Sequence, residues 1–184
     1  MPLFTPTIVF ERITCITPEF LGARGLRALI LDVDNTLTAH GSQELPPDVA
    51  AWLDTMRAAG VKLTIASNNM PGRVAPFAKR VGLEYQAFCC KPSPFGLRRA
   101  RRAMGVSRRE VALVGDQIFT DALGANLYGI PVLLVQPMRQ DTGIIKKAGV
   151  STEKRKTANP RTHRSVPAAN TGIRRLDRYE TTYR

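Results

Sequence analysis

The sequence predicts an α/β fold in which a parallel sheet carries helices on both faces. Short apolar runs alternate along the chain with segments whose apolar residues recur every three or four positions, the periods of buried strands and amphipathic helices. Proline opens and glycine closes most of the helical segments. Each of the runs read as Ala28–Asp32, 61–66, 85–90 and 111–114 also stops at polar side chains suited to chemistry, and ligands of parallel sheets gather at the carboxyl ends of the strands.

Taken in order, residues 1–10 are apolar and interrupted by proline, so they are not a stable helix and are left to pack on the core or touch a bilayer surface. Thr17-Pro18-Glu19 reads as a cap followed by proline at the first helical position, opening a short helix that ends near Gly22 or Gly25. The first strand is Ala28 to Asp32. A helix then starts at Pro46-Pro47-Asp48 and runs to about Ala59, with Val49, Trp52, Leu53 and Met56 on one face and Gly60 as its stop.

Residues 61–66 form the second strand, and Pro71 opens a helix that buries Val74, Phe77, Ala78 and Val81 before Gly82. A third strand is expected over 85–90. The next helix begins at Ser93-Pro94, turns Leu97, Ala100 and Met104 inward and leaves Arg98, Arg99, Arg101 and Arg102 as a basic outer face. Residues 111–114 make a fourth strand, 120–128 a helix stopped by Gly129, and 131–135 a fifth strand.

The 184 residues suit one domain with a sizeable core, assigned to 1–138, and an appendage over 139–184. The formal charge of +12 divides unevenly between them. Residues 1–138 hold 15 Lys and Arg against 11 Asp and Glu, net +4, and residues 139–184 hold 12 against 4, net +8. Residues 146–170 lack the large apolar side chains needed for a core, whereas 173–183 suit a short basic terminal helix. A basic tail implies an anionic partner: nucleic acid, a phospholipid surface or an acidic protein; the bland alternative is a solvated tail.

Cys15, Cys89 and Cys90 lack metal-ligand spacing and read as reduced packing residues of a cytoplasmic protein. No apolar run has the length of a membrane span and the amino terminus lacks a secretory pattern, so membrane contact is expected to be peripheral, on the inner face.

The chemistry concentrates at Asp32-Val33-Asp34. Two carboxylates at the end of a buried strand are costly to desolvate unless donors or a cation meet them, and a hard divalent metal suits oxygen ligands. An Asp-x-Asp-x-Thr segment alone also suits simple turn chemistry. The ordered series decides between the two: Asp32, Asp34 and Thr36-Leu37, then Ser67-Asn68, then Lys91, then Gly115-Asp116-Gln117 with Asp121. This series resembles the four motifs of the haloacid dehalogenase-like (HAD) phosphohydrolases.

Ile16-Thr17-Pro18, Asp34-Asn35-Thr36-Leu37, Ser67-Asn68-Asn69, Lys91-Pro92 and Gly115 through Asp121 are similar to the YqeG-type branch of subfamily IIIA. That branch is itself similar to phosphatidylglycerophosphate phosphatases. The resemblance covers about residues 8–138; the basic stretch near 141–168 departs from it.

The resemblance implies a three-layer Rossmann-like sheet and phosphomonoester hydrolysis dependent on Mg²⁺. Asp32 would attack phosphorus and form an aspartyl-phosphate, with Asp34 as acid and then base. Asp32, Asp34 through its main-chain carbonyl, and Asp116 would hold Mg²⁺, with Asp121 beside them on the metal or its waters. Ser67 and the Asn68 main chain would bind the phosphoryl group, and Lys91 would neutralise nucleophile and phosphate. Ser67 and Asn68 also suit a helix cap, Asp121 a helix-dipole charge that can coexist with the metal role, and Thr36 either a turn or a substrate contact. His40 and His163 read as isolated surface residues.

Only nine residues separate Thr36 from Pro46, and one helix and one strand separate Asn69 from Lys91, so no cap domain fits there. The expected substrate is a phosphorylated, lipid-borne one, phosphatidylglycerophosphate by the resemblance, met at an anionic membrane surface. The alternatives are a phosphatase for a nucleic-acid end, a nucleotide or a small phosphometabolite, and a non-catalytic anion-binding assembly module. Nucleic acid is disfavoured because the basic residues lack an interleaved aromatic series.

Overall fold

The computed structural model describes residues 3–138; the readings made for the basic tail and its terminal helix lie outside them. Six strands, β1 (Ile8–Phe10), β2 (Ala28–Leu31), β3 (Lys62–Ala66), β4 (Glu84–Gln86), β5 (Val111–Gly115) and β6 (Val132–Val135), form one sheet in the order β1-β6-β5-β2-β3-β4. Every pairing is parallel. The α-helices among the described residues are α1 (Pro18–Gly22), α2 (Pro47–Ala58), α3 (Pro71–Val81), α4 (Pro94–Met104) and α5 (Leu123–Tyr128).

Alternation along the strands creates the three layers. Leu29 and Leu31 of β2 join Ala112 and Val114 of β5 in one core with Leu21, Trp52, Met56, Val74 and Phe77 from α1, α2 and α3. Ala28 and Ile30, one residue out of phase, join Val111 and Leu113 in the opposite core with Leu97, Ala100, Ala125 and Tyr128 from α4 and α5. All of the β2 side chains are buried, and each fully buried Leu or Ile contributes about 1.5–3 kcal/mol of hydrophobic stabilisation.

The helix starts follow the local chemistry. The Thr17 hydroxyl accepts from the Phe20 amide at 3.2 Å, and Pro18 occupies the first turn of α1. Gly82 closes α3 and Gly105 closes α4 in the left-handed conformation that favours glycine. Trp52 donates its indole N–H to the Ile16 carbonyl at 2.7 Å, tying α2 to the segment before α1.

Three expectations change. Residues 8–10 are a sixth strand, on the sheet edge beside β6, where a chain too short and proline-flanked to read as a strand needs to pair on one side only. The strand expected over 85–90 ends at Gln86, because Phe88 and Cys90 take positive φ and turn the chain away from the ladder. The helix expected from Thr120 begins instead as a π-type turn, Ile118–Ala122, before α5.

The order of strands reverses between β2 and β5, since β2 leads on to β3 on one side and β5 to β6 on the other. A crevice opens at the carboxyl edge of such a switch point. Asp32 follows β2 and Asp116 follows β5, so the topology alone puts these carboxylates side by side.

Candidate active site

Past β2 the backbone folds into a tight turn in which the amides of Thr36, Leu37 and Thr38 converge on the Val33 carbonyl at 3.0–3.3 Å. Asn35 sits in the left-handed region within it, at φ 59°, a conformation asparagine tolerates better than most residues. The turn leaves Asp32 and Asp34 buried. The Thr36 hydroxyl is also buried, and no group among the described residues bonds it. It lines a cleft of about 610 Å³ with Arg12, Thr38 and Gln136, and neither Asp32 nor Asp116 reaches that cleft.

Lys91 joins the two halves of the acidic centre. Its ammonium donates to Asp32 Oδ1 at 2.7 Å and to Asp121 Oδ1 at 2.6 Å, all three side chains being buried. The second oxygen of Asp121 accepts from the Gln117 amide at 3.2 Å. Burial alone would strip the lysine of its proton, but the two carboxylates reverse that and hold it charged. Asp121 comes this close because Gly115 ends β5: a Cβ there would lie 2.4 Å from the Asp121 carboxylate.

Carboxylate oxygens of Asp32, Asp116 and Asp121 lie within 4.8 Å of one another. One lysine cannot neutralise three acids. Burial pushes the Asp32 carboxyl up, against the pull of Lys91 and with the push of Asp121 and Asp116. Burial likewise raises Asp116 to about 6, helped by Asp121 and opposed by the Asn35 side chain. One Asp116 oxygen, Oδ1, is buried and bonded by no protein group among the described residues. Surplus negative charge, hard oxygen donors and an orphaned carboxylate oxygen together fit a divalent cation.

Asp34 is turned elsewhere. Its carboxylate accepts from the Gly41 amide at 3.0 Å, from the Arg73 guanidinium and from the Asn69 amide group. His40 is close too, with Nδ1 at 3.7 Å, although it is exposed. Burial acts to raise the Asp34 carboxyl, but these donors outweigh it and hold the group below its ordinary range.

The segment after β3 supports both sides of the site. The buried Ser67 hydroxyl accepts from the Asn69 amide at 3.2 Å. The Asn68 side chain donates to the Lys91 carbonyl at 2.9 Å and accepts from the Lys91 amide at 2.6 Å. Asn68 thus braces the lysine loop with its side chain. The structure therefore brings Asp32, Asp116, Asp121 and Lys91 into one cluster, places Asp34 in a second with Arg73 and Asn69, and leaves Thr36 on the cleft behind the turn.

Arg73, Asn69 and Asn35 carry contacts that the motif reading did not assign, and His40 is beside Asp34 rather than isolated. Arg73 did leave a sequence signal. A cation in the first turn of a helix opposes the helix dipole, and α3 has no acidic residue there to compensate.

A family model described as haloacid dehalogenase-like hydrolase matches residues 19–129. The chain is 34% identical over 152 residues to "Probable phosphatase YqeG" of Bacillus subtilis, with 83% of this chain and 88% of that protein covered. It is 22% identical over 142 residues to "Phosphatidylglycerophosphate phosphatase 1, chloroplastic/mitochondrial" of Arabidopsis thaliana, covering 72% of this chain and 41% of that protein. Among solved structures, the 4-nitrophenylphosphatase of Thermotoga maritima superposes with a TM-score of 0.54 at 12% identity, over 69% of this chain and 92% of that one, and shows the shared fold. With the four motif segments gathered at the carboxyl edge of the sheet, the chain belongs to the haloacid dehalogenase-like hydrolases and is a phosphatase of that superfamily.

Proposed function

We propose that this phosphatase is a Mg²⁺-dependent phosphomonoester hydrolase that converts phosphatidylglycerophosphate to phosphatidylglycerol from the cytoplasmic side of a membrane. The observation that carries the reading is the Asp32–Asp116–Asp121 cluster, in which Lys91 bridges the buried Asp32 and Asp121. Asp32 and Asp116, with Asp121 beside them and the main-chain carbonyl of Asp34, would hold the ion. When bound, Mg²⁺ supplies charge neutralisation to an anionic substrate and to the carboxylate that must attack it.

In the first step an Asp32 oxygen attacks phosphorus while the bond from phosphorus to the ester oxygen breaks, leaving the phosphoryl group on Asp32. The departing oxygen takes a proton from Asp34. Asp34 then removes a proton from water, which attacks the aspartyl-phosphate, releases inorganic phosphate and restores Asp32. Arg73, Asn69 and the Gly41 amide hold Asp34 ionised, which is the form the second step requires. Protonation for the first step requires the Arg73 pair to open. Ser67 and the Asn68 main chain border the position of the phosphoryl group, and Lys91 stabilises the charge gathered on Asp32.

Support for the lipid substrate comes from the Arabidopsis relative, named for that activity, and from the uncapped site: no inserted domain follows Asp34 or β3 among the described residues. No helix among them is long and apolar enough to cross a membrane. The test is phosphate release from phosphatidylglycerophosphate in mixed micelles, with Mg²⁺ or chelator, beside nucleotide, oligonucleotide and sugar phosphates. Release from the lipid that needs both Mg²⁺ and Asp32 is expected. No release, or equal release by Asp32→Asn, overturns the reading.

A further inference from the structure

Large apolar side chains stand exposed around the mouth of the site. Met70 is 63% exposed, Phe88 62%, Phe95 75% and Phe119 74%, whereas Phe10 and Phe77 of the core are almost wholly covered. Their positions follow the catalytic segments. Met70 directly follows Asn69, a partner of Asp34, and the Phe88 amide donates to the Asn69 carbonyl at 2.9 Å. Phe95 occupies the first turn of α4, four residues past Lys91, and Phe119 stands three past Asp116. Phe4 packs edge-on against Phe119, with ring centroids 5.7 Å apart, and extends the patch toward the amino terminus. Three separate connections at the carboxyl edge of the sheet, those after β3, β4 and β5, put apolar side chains into solvent, where an ordinary soluble surface scatters such residues singly.

A basic strip descends from this edge along α4, ending with Arg102 in the last turn of the helix. Phe95, Arg98, Arg99 and Arg102 follow one another at helical spacing along the outer face of α4. Arg98 and Arg102 are exposed and take part in none of the ion pairs among the described residues. Apolar side chains at a rim, flanked by cations that reach sideways, match the boundary between acyl chains and anionic headgroups.

We propose that this rim is a membrane-docking face, and that its occupant is an anionic bilayer surface, into which Phe88, Phe95 and Phe119 insert while the α4 arginines meet lipid phosphates. A second copy of the chain fits less well, because a two-fold contact through this face would set the arginine strips of two α4 helices beside each other. Docking at the rim would present the phosphate-binding crevice to the headgroup plane, so that a headgroup phosphate enters without leaving the bilayer. The inference rests on the lipid-phosphatase reading, and the following measurements separate the two.

The probes are phosphatidylcholine vesicles with and without phosphatidylglycerol, bound by full-length wild type and by the Phe88→Glu/Phe119→Glu variant, at low and high salt. The variant is expected to lose about tenfold or more in affinity for the anionic vesicles, and a similar factor in turnover of vesicle-borne phosphatidylglycerophosphate. It should keep hydrolysis of a soluble aryl phosphate within about twofold, because neither residue belongs to the acidic cluster. In a second measurement, the Phe88→Trp variant should show blue-shifted emission and quenching by brominated lipid, independent of any lost activity. Unchanged vesicle binding by the double variant, or no emission shift from Phe88→Trp on vesicles, overturns the docking face. So does a wild-type dimer that ignores vesicles and dissociates on the same substitutions. If wild type hydrolyses the lipid in micelles and the rim variants behave alike, the rim fails while the substrate stands. Rim-dependent vesicle binding without any lipid hydrolysis supports the rim and removes the substrate.

Discussion

Asp32 and Asp34 leave the same strand two residues apart and reach opposite surroundings. On the Lys91 side, the buried Asp32 and Asp121 share one cation with the half-buried Asp116 close by, and the carboxyls of Asp32 and Asp116 are pushed upward. On the Arg73 side, a single acid is met by a guanidinium, an amide side chain and a backbone N–H, and its carboxyl is pushed down. The first side is short of positive charge and the second is not. The contrast shows where a cation would be accommodated, and it gives two carboxylates of one turn different electrostatics: a surplus of buried negative charge around Asp32, and a set of hydrogen-bond donors already satisfying Asp34.

The strongest way to break this comparison is Asp32→Asn, expected to lower kcat by about 10⁴-fold on every phosphomonoester if the proposed covalent intermediate forms on Asp32. Steady-state phosphate release checks it; equal losses from Asp34→Asn would erase the distinction. Lys91→Met probes the shared cation. It leaves Asp32 and Asp121 buried without their partner and is expected to cost about 3–5 kcal/mol in urea unfolding, the general effect of breaking a buried ion pair from one side. A loss below about 1 kcal/mol would mean that solvent already shields the cluster.

Asp34→Asn sharpens the comparison through the leaving group. An alkyl phosphate needs its departing oxygen protonated and an aryl phosphate hardly does, so kcat should fall about 10²-fold further on the alkyl ester. Equal losses on both would remove Asp34 from the leaving-group step. The smallest effect is one of stability. Between pH 3.8 and about 6 the folded chain keeps a proton on Asp116 that the unfolded chain has released, so this group's contribution to stability falls as pH rises through that window. In chelator near pH 7.5, Asp116→Asn should therefore raise the unfolding free energy by about 1 kcal/mol after allowance for solvent screening, while abolishing stabilisation by Mg²⁺. Lower stability of the variant in chelator would show that the acidic cluster is not short of positive charge.

Much of this arrangement was legible in the sequence, for reasons that differ by element. Of the four central strands, β2, β5 and β6 stand out because each is a continuous apolar run and β3 because its apolar residues end at Ser67-Asn68, and α2, α3 and α4 because period and proline agree. β1 was not legible, since three residues on an edge carry too little pattern. The chain beyond Gln86 misled because 87–90 is apolar throughout, yet only Ala87 and Cys89 pack inward, Cys89 against Gly96, while the backbone turns at Phe88 and Cys90 and leaves both exposed. In the site, Asp32 and Asp116 could be named because each directly follows a strand, and Lys91 and Asp121 because the ordered motif series includes them. The attachment of Asp34 to Arg73 and Asn69 could not, because those contacts span 39 and 35 residues and depend on how α3 is set against the turn after β2. A π-type turn has no periodic signature, so the placing of Asp121 within one was likewise invisible.

Gly115 has a consequence of its own. The Asp121 carboxylate fills the volume that any side chain at the end of β5 would claim, so the two are rival tenants of one space. Adding a single methyl group at Gly115 would evict the acid that anchors Lys91, and so disturb the cluster from a position that carries neither charge nor functional group. The acidic centre is in this sense shaped by a hole in the sheet edge as much as by its charged residues. Any redesign of the centre must preserve that emptiness first.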